Sequence, residues 1–336
     1  KAQRIKKLSA LISDEFLISK EKIEIAASIC KVDLLSDLVG EFPELQGVLG
    51  GHFALSQGFE KDICLAVSEH YLPIGTESSI PKKPYSIALS LSDKIDTLVG
   101  FFSINLKPSS SKDPYGLRRL AIGLIKMILE NKKKINLKNL INYSSELYVE
   151  QSIEINSKSV QKELLNFFHE RFKNYMKEKG IRQDIIESST LDYNINDILL
   201  IFNKVFIFNK LISNQVGLDV MFNYKRASSI LISEKKNTKI EILGSPDPGL
   251  FKNNYEKNLY KKIHDIRKDF TSVSKEDNYE ALLESLASAK NEVSEFFDNV
   301  TVNDEDEIIK KNRLELLQML CNTFDNYFNF SKIETL

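Results

Sequence analysis

Apolar residues recur at spacings of three and four along much of this chain, and that spacing is the period of an amphipathic α-helix. The spacing runs without interruption over residues 160–179, and Gly180 follows as a helix stop. It returns over residues 195–212, 278–290 and 308–328. The pattern therefore predicts a helix in each of these segments.

The most apolar stretch covers residues 85–102 and is eighteen residues long. A buried β-strand has only ~4–8 residues, so this stretch is better explained as a buried helix. Gly and Pro are sparse, at 13 and 8 of 336 residues, and the prolines cluster, which leaves long intervals free for helices. The sequence predicts an all-α fold.

Length and charge indicate two domains. A chain of 336 residues allows about two domains, and its hydrophobic content of 42% is enough to form their cores. Residues 1–145 carry 20 Lys and Arg against 16 Asp and Glu, whereas the remainder carries 26 against 31. We therefore predict one helical domain at residues 1–145 and a second region at residues 146–336, with the boundary in a polar stretch near residues 142–157.

The composition also narrows the class of protein. Cys30, Cys64 and Cys321 lie far apart, without the paired spacing of a zinc site or a disulfide framework. No run of ~18 uncharged apolar residues occurs, so we expect a cytoplasmic protein with no membrane partner. Because the first residue is Lys, we expect the chain to be part of a longer protein.

One segment concentrates positive charge. Residues 105–138 hold nine basic and two acidic residues, although the whole chain has a net charge of only −1. A small polar loop precedes a basic helix start there, where Asp113 can cap the helix and Pro114 suits its first turn. Free backbone N–H groups, with Ser and Lys side chains, would form a seat for phosphate. The alternative is a solvated basic surface. The basic residues of this candidate nucleic-acid contact are Lys107, Lys112, Arg118 and Arg119.

A second candidate is a metal site, because His70 and Asp93 are residue types that bind divalent metal ions. A metal-dependent phosphohydrolase of the HD class also needs a His-Asp pair on an earlier helix, where this sequence has Glu41 and Phe42. We therefore predict that His70 and Asp93 lie in a buried hydrogen-bond network. The sequence also has no Gly-rich phosphate loop and no GxSxG motif, so we assign no catalytic residue and no cofactor.

Four segments follow one another in the order and spacing of a known family. They lie at residues 31–47, 69–73, 92–100 and 111–119, and the first reads KVDLLSDLVGEFPELQG. These segments resemble the beta subunit of the bacterial two-subunit glycyl-tRNA synthetase. Looser similarities to its C-terminal anticodon-binding domain occur at residues 225–231, 296–304 and 312–317.

The resemblance implies a division of labour between two polypeptides. The alpha subunit would activate glycine with ATP and Mg²⁺, while the beta subunit would bind tRNA(Gly), with no cofactor of its own and no DNA partner. An HD-like helical domain at residues 1–145 would lie near the acceptor arm, and residues 146–336 would contain connecting helices and a helical anticodon-binding domain.

The resemblance also assigns candidate residues. Glu41, His70 and Asp93 would be degenerate HD-like positions that hold no metal. Two other functions stay open at this point, an active HD-type phosphohydrolase and an assembly scaffold without direct tRNA contact. The tRNA contacts implied in the two domains are Lys107, Lys112, Arg118, Arg119, Lys225, Arg226 and Arg313.

Overall fold

The regular secondary structure of the chain is helical, as the sequence predicts. The computed structural model describes residues 1–75, 78–109, 111–190, 195–237, 242, 244–273, 279–326 and 328–333, and no strand occurs among them. The first nine helices are α1 (Ala2–Leu11), α2 (Lys20–Ile29), α3 (Asp37–Glu41), α4 (Val48–Ser56), α5 (Lys61–Glu69), α6 (Pro84–Ser103), α7 (Leu117–Glu130), α8 (Leu137–Val149) and α9 (Ser157–Glu178).

The other α-helices of the described residues follow in the C-terminal part of the chain. They are α10 (Gln183–Ser189), α11 (Ile198–Ile212), α12 (Gln215–Asn237), α13 (Asn254–Val273), α14 (Tyr279–Ala287), α15 (Lys290–Asn299) and α16 (Glu307–Asp325). Short 3₁₀ turns occur at Val32–Leu35, Pro43–Leu45, Pro248–Leu250 and Phe330–Lys332. The predicted helices at residues 160–179, 195–212 and 308–328 are confirmed, and Gly180 has the left-handed φ of 81° typical of a helix stop. Of the predicted helix at residues 278–290, residue 278 lies outside the described residues.

The chain divides into two compact units. The first contains Lys1–Glu178 and Tyr193–Leu199, and the second contains Lys179–Asp192 and Leu200–Leu336. Residue 145 lies inside α8 of the first unit. The predicted boundary between two helical domains near residue 145 stays a prediction.

Helix α6 forms the centre of the first unit. It packs against α1, α2, α5, α7, α8 and α9, and most of its side chains are buried. Pro84 lies in its first turn, where a missing N–H costs no helical hydrogen bond. Burial on all sides explains why residues 85–102 lack the polar face of a surface helix. The prediction of a buried helix in this stretch is confirmed.

Two helices approach each other closely at Gly100 of α6. A Cβ atom at this position would lie 2.2 Å from the hydroxyl oxygen of Tyr148 in α8. That hydroxyl donates a hydrogen bond of 3.0 Å to the carbonyl of Asp96. A residue without a side chain is therefore needed where α8 crosses α6.

The second unit has an aromatic core between α11, α12 and α16. Phe208 stacks on Phe328 with ring centroids 4.1 Å apart, and Tyr224 lies 5.3 Å from Phe330. These side chains are buried, whereas Phe206 of the same Phe-rich segment is 55% exposed. The segment thus contributes to the core through one face of α11.

Candidate nucleic-acid interface

The loop between α6 and α7 is closed by short-range hydrogen bonds. The backbone N–H of Ser109 donates to the Lys112 carbonyl at 3.0 Å, and the Lys112 N–H donates to the Ser109 hydroxyl at 3.1 Å. The two carboxylate oxygens of Asp113 accept from the N–H groups of Leu117 and Arg118, each at 2.9 Å. Asp113 therefore caps α7, as the sequence predicts.

The start of α7 differs from the sequence prediction in two ways. The helix begins at Leu117, after Gly116 with a left-handed φ of 66°, so Pro114 lies in the preceding turn and not in the first helical turn. The N–H groups of Leu117 and Arg118, which were expected to be free for phosphate, already bind Asp113. These two N–H groups are therefore not free to bind a phosphate at the start of α7.

The four predicted cations of the first unit lie around this loop. Arg118 is half-buried and its Nη2 donates to the Ser109 carbonyl. Lys112 and Arg119 are exposed. Lys107 forms an ion pair with Glu163 of α9, which partly neutralises it. All four cations thus lie on the loop between α6 and α7 or on the first turn of α7, a region here called the cationic corner.

A fifth cation, Arg171 of α9, lies behind this corner, and sequence reasoning missed it. Burial, followed by the charge of Arg118, lowers the pKa of Arg171. Its Nε–H is buried and has no hydrogen-bond acceptor. Two neighbouring guanidinium groups and an unsatisfied donor favour an anion nearby. No sequence signal marks Arg171, because its position depends on α9 packing against α7.

Three further lysines of the basic segment lie together at the α7–α8 connection. Lys132, Lys133 and Lys134 line a cavity of about 680 Å³. Glu15 and Asp197 also line it, so its charge is mixed. The basic residues of the segment 105–138 are therefore not all in one place: some form the cationic corner, and others line a cavity of mixed charge.

The three predicted contacts of the second unit are in different environments. Arg226 of α12 is exposed, and its guanidinium carbon lies 4.6 Å from the ring centroid of Phe297 and close to Asp298. Lys225 is half-buried. Arg313 of α16 is only 5% exposed, so it does not present its guanidinium to a surface ligand.

Arg313 lies in an ion-pair network inside the second unit. Its Nε donates to Glu256 at 2.7 Å, and its Nη1 donates to Asp304 at 2.6 Å and to the Thr301 carbonyl at 2.9 Å. Glu256 is fully buried and also accepts from two backbone N–H groups at the start of α13. The arrangement gives Arg313 a helix-packing role.

The HD-like positions lie in a buried charged cluster of the first unit. His70 and Asp93 are 0% and 5% exposed, and Lys31 joins them: its Nζ lies 2.8 Å from His70 Nε2 and 2.8 Å from Asp93 Oδ2. The predicted buried network is confirmed. Lys1 adds a second ammonium 3.0 Å from Asp93 Oδ1, and the Lys31 ammonium lies 3.8 Å from the Tyr71 ring centroid. Glu41, the third HD-like position, is exposed at the end of α3.

The electrostatics of this cluster follow from its geometry. His70 Nδ1 lies 2.6 Å from the Val67 carbonyl, so a neutral imidazole carries its proton there and accepts from Lys31 at Nε2. Burial and the Lys31 charge lower the pKa of His70 to about 3. Burial alone would raise the pKa of Asp93, but Lys31 and Lys1 outweigh it and hold that pKa well below its usual range. The cluster therefore contains ammonium groups at the positions where a metal ion would meet His70 and Asp93.

Among the residues that the structure describes, no group of three or more His, Cys, Asp and Glu side chains is arranged to hold a metal ion. None of the helices described is both long and apolar enough to cross a membrane.

Comparisons with known proteins cover both halves of the chain. A family model described as glycyl-tRNA synthetase beta subunit matches residues 1–190, and one described as DALR anticodon binding domain matches residues 220–336. The glycine–tRNA ligase beta subunit of Rhodospirillum centenum is 35% identical over 338 residues, which cover 99% of this chain and 47% of that protein. Those of Rickettsia prowazekii and Rickettsia typhi are each 37% identical, over 92% of this chain and 44% of theirs. The chain spans about half the length of these relatives.

Proposed function

This chain belongs to the glycyl-tRNA synthetase beta subunit family, and on that premise we propose that it binds tRNA(Gly) in the cytoplasm for glycylation by an enzyme of alpha and beta subunits. In this proposal the alpha subunit binds ATP and Mg²⁺ and activates glycine. The residues described here hold the tRNA and carry out no bond-making step themselves.

The observation that carries the proposal is the cationic corner of the first unit, formed by Lys112, Arg118, Arg119 and the partly buried Arg171. Guanidinium groups bind phosphate oxygens in a fixed two-pronged geometry, which suits a sugar-phosphate backbone. Each phosphate neutralised releases counterions, so the affinity falls as salt rises. In this proposal the cationic corner binds the sugar-phosphate backbone of the tRNA and does not recognise its base sequence.

The second unit supplies the sequence-dependent contact in this proposal. Anticodon bases are single-stranded, so they can be stacked and hydrogen-bonded one at a time. The exposed guanidinium of Arg226, which lies against Phe297, offers a flat cationic face for such a base. Arg313 is not among the proposed contacts, because its side chain is buried and bound to Glu256 and Asp304.

The test is the double charge reversal Arg118→Glu with Arg119→Glu, made in the full-length beta subunit. Equilibrium binding of tRNA(Gly) is measured by filter retention at several salt concentrations. Loss of two phosphate contacts and addition of two repulsive charges should weaken binding by more than about tenfold at moderate salt. The plot of log affinity against log salt should also become shallower by about 1.5.

The matched control reverses two exposed lysines of the same unit, Lys20→Glu and Lys83→Glu. The net charge changes by the same amount, so a general effect of charge would weaken binding equally in both variants. If both double variants bind tRNA alike, the corner formed by Arg118 and Arg119 has no part in the mechanism.

The two alternative functions make different predictions. An HD-type phosphohydrolase needs metal donors, but His70 and Asp93 already bind the ammonium of Lys31. An assembly scaffold would associate with the alpha subunit yet leave tRNA affinity independent of salt and of Arg118. The filter assay therefore separates the scaffold from a tRNA-binding subunit.

A further inference from the structure

The cavity of mixed charge at the α7–α8 connection lies within the first unit, and the proposed function does not use it. Its volume of about 680 Å³ is in the usual range of small-molecule sites, ~300–1,000 Å³. Besides the three lysines and two carboxylates named above, its wall has the amide side chains of Asn136, Asn139 and Asn196. All of the described side chains that line it are therefore charged or amide groups, which suits a polar ligand.

The backbone around this cavity is held in place on both sides of α8's start. The lysine segment is tied to the end of α7, where the N–H of Lys133 donates to the Ile128 carbonyl at 3.0 Å. Ile135, which follows the lysines, is buried and anchors the chain. The N–H of Leu137 then donates to the Asn196 carbonyl at 2.9 Å, which ties the Asn196 turn to α8. The cavity is thus preformed, as most ligand sites are.

The lysines make one part of the wall suitable for an anion. Among the described residues, no carboxylate lies within ion-pair distance of Lys132 or Lys133. The Lys133 ammonium lies 5.0 Å from the ring centroid of Phe16, a contact that leaves its charge uncompensated. Asn136 is the N-cap of α8, so the positive end of that helix dipole also lies at the wall. Ammonium groups beside a helix N-terminus favour a phosphate.

A second observation indicates that the ligand also has hydrogen-bond donors. The side-chain oxygen of Asn196 is buried and accepts no hydrogen bond from the described part of the chain. An acceptor left in this state costs ~1–3 kcal/mol, so a donor from outside the chain is favoured. Glu15 and Asp197 add further acceptors to the same wall. The cavity therefore matches a molecule that combines an anionic group with O–H or N–H groups.

We propose that this cavity binds a ribonucleotide, with its phosphate at Lys132 and Lys133 and its 2′-hydroxyl group donating to Asn196. Acidic and amide side chains bind ribose hydroxyl groups and base edges in other nucleotide sites. Glu15 and Asp197 would repel a polyphosphate, so the fit is to a nucleotide with one phosphate group. The ribonucleotide is either free or one residue of an RNA strand, because both present the same chemistry.

The test measures binding of AMP to the full-length beta subunit by isothermal titration calorimetry, with inorganic phosphate as a second probe. The variant Lys132→Gln with Lys133→Gln removes two ammonium groups and should weaken the binding of both probes about tenfold or more. Asn196→Ala should weaken AMP binding about threefold or more and leave phosphate binding within about twofold, because phosphate lacks the ribose. The unmodified protein should bind 2′-deoxy-AMP about as weakly as Asn196→Ala binds AMP.

The matched control is Lys61→Gln with Lys83→Gln, at two exposed lysines of the same unit that do not line the cavity. It removes the same charge and should leave AMP affinity within about twofold. Circular dichroism melting of all variants checks that the fold is retained.

Competition with tRNA(Gly) distinguishes the two sources of the nucleotide. Displacement of AMP by tRNA, or a tRNA affinity that falls in the lysine variant and not in its control, means that the cavity holds a residue of RNA. Simultaneous binding of AMP and tRNA means that it holds a free nucleotide. A beta subunit that binds AMP but no tRNA would refute the proposed function and leave this inference standing.

Three results would overturn the inference. Unchanged AMP affinity in the lysine variant means that the nucleotide binds elsewhere. Equal losses in the lysine variant and its control mean that only the general charge of the protein matters. If the unmodified protein binds no AMP, and tRNA affinity is the same in the lysine variant and its control, the cavity holds no nucleotide.

Discussion

The buried charged cluster gives a sharp test of how the first unit is stabilised. Lys31 is the central residue, because its ammonium contacts His70 and Asp93 at 2.8 Å each. The substitution Lys31→Met removes this charge while keeping an unbranched side chain able to contact the Tyr71 ring. Asp93 then keeps only the ion pair with Lys1, whose side chain is 41% exposed.

The size of the effect follows from this geometry. At 2.8 Å and an effective dielectric constant of ~20, the Lys31–Asp93 attraction is about 6 kcal/mol before the cost of burial. Removing one partner of a buried ion pair costs ~3–5 kcal/mol, because the remaining charge stays buried. Since Lys1 still faces Asp93, we predict a loss of about 3 kcal/mol in the free energy of unfolding at neutral pH.

The pH dependence of this loss identifies its cause. In the unmodified protein the pKa of His70 is about 3, below the ordinary value of ~6.5, so the unfolded state binds more protons between these values and stability falls as pH falls. Without Lys31, the Asp93 carboxylate raises the pKa of His70. The variant then loses less stability on acidification, and its deficit should narrow by ~1–2 kcal/mol between pH 7 and pH 5.

The free energy of unfolding of the first unit is measured by hydrogen exchange and mass spectrometry on peptides from α5 and α6. The chain has no tryptophan, so unfolding cannot be followed by tryptophan fluorescence. The control is Lys82→Met, which breaks an exposed ion pair with Glu130 at 2.9 Å and should change stability by less than about 0.5 kcal/mol. A Lys31→Met deficit below ~1 kcal/mol, or one that does not vary with pH, would refute the electrostatic reasoning.

Two substitutions test the packing of each unit. Gly100→Ala should destabilise the first unit by ~1–3 kcal/mol, because the added Cβ would lie 2.2 Å from the Tyr148 hydroxyl oxygen. The control Gly40→Ala adds a Cβ with no atom within 4 Å and should be tolerated. The melting temperatures of the two variants are compared by calorimetry. Arg313→Met should destabilise the second unit by ~3–5 kcal/mol, because fully buried Glu256 would lose its cation. Equal melting of the two glycine variants, or a urea midpoint unchanged in Arg313→Met, would contradict these assignments.

Local features of the fold could be predicted from the sequence because short-range physics determines them. The helical period, the stop at Gly180 and the cap by Asp113 each depend on residues a few positions apart. The buried state of α6 was predictable from its length and its many apolar residues. The missing His-Asp pair likewise indicated that His70 and Asp93 lie in a hydrogen-bond network.

The contacts that set the chemistry of each site depend on long-range packing, which a helical period does not encode. Lys31 and Asp93 lie 62 positions apart in the sequence, and Arg313 and Glu256 lie 57 positions apart. The sequence around each residue does not indicate that Arg313 is buried and Arg226 is exposed. The two N–H groups expected to bind phosphate turned out to be occupied because the capping carboxylate lies three residues before the helix N-cap.

Site-directed photo-crosslinking tests most directly whether the cationic corner meets tRNA. A photoreactive amino acid at Lys112, which is exposed at that corner, is irradiated in the complete alpha/beta enzyme with tRNA(Gly), and the same residue at Lys20 serves as the control position. The account predicts a crosslink to the tRNA backbone from position 112 that fades as salt is raised, and none from position 20. A crosslink from both positions, or from position 20 alone, would contradict it.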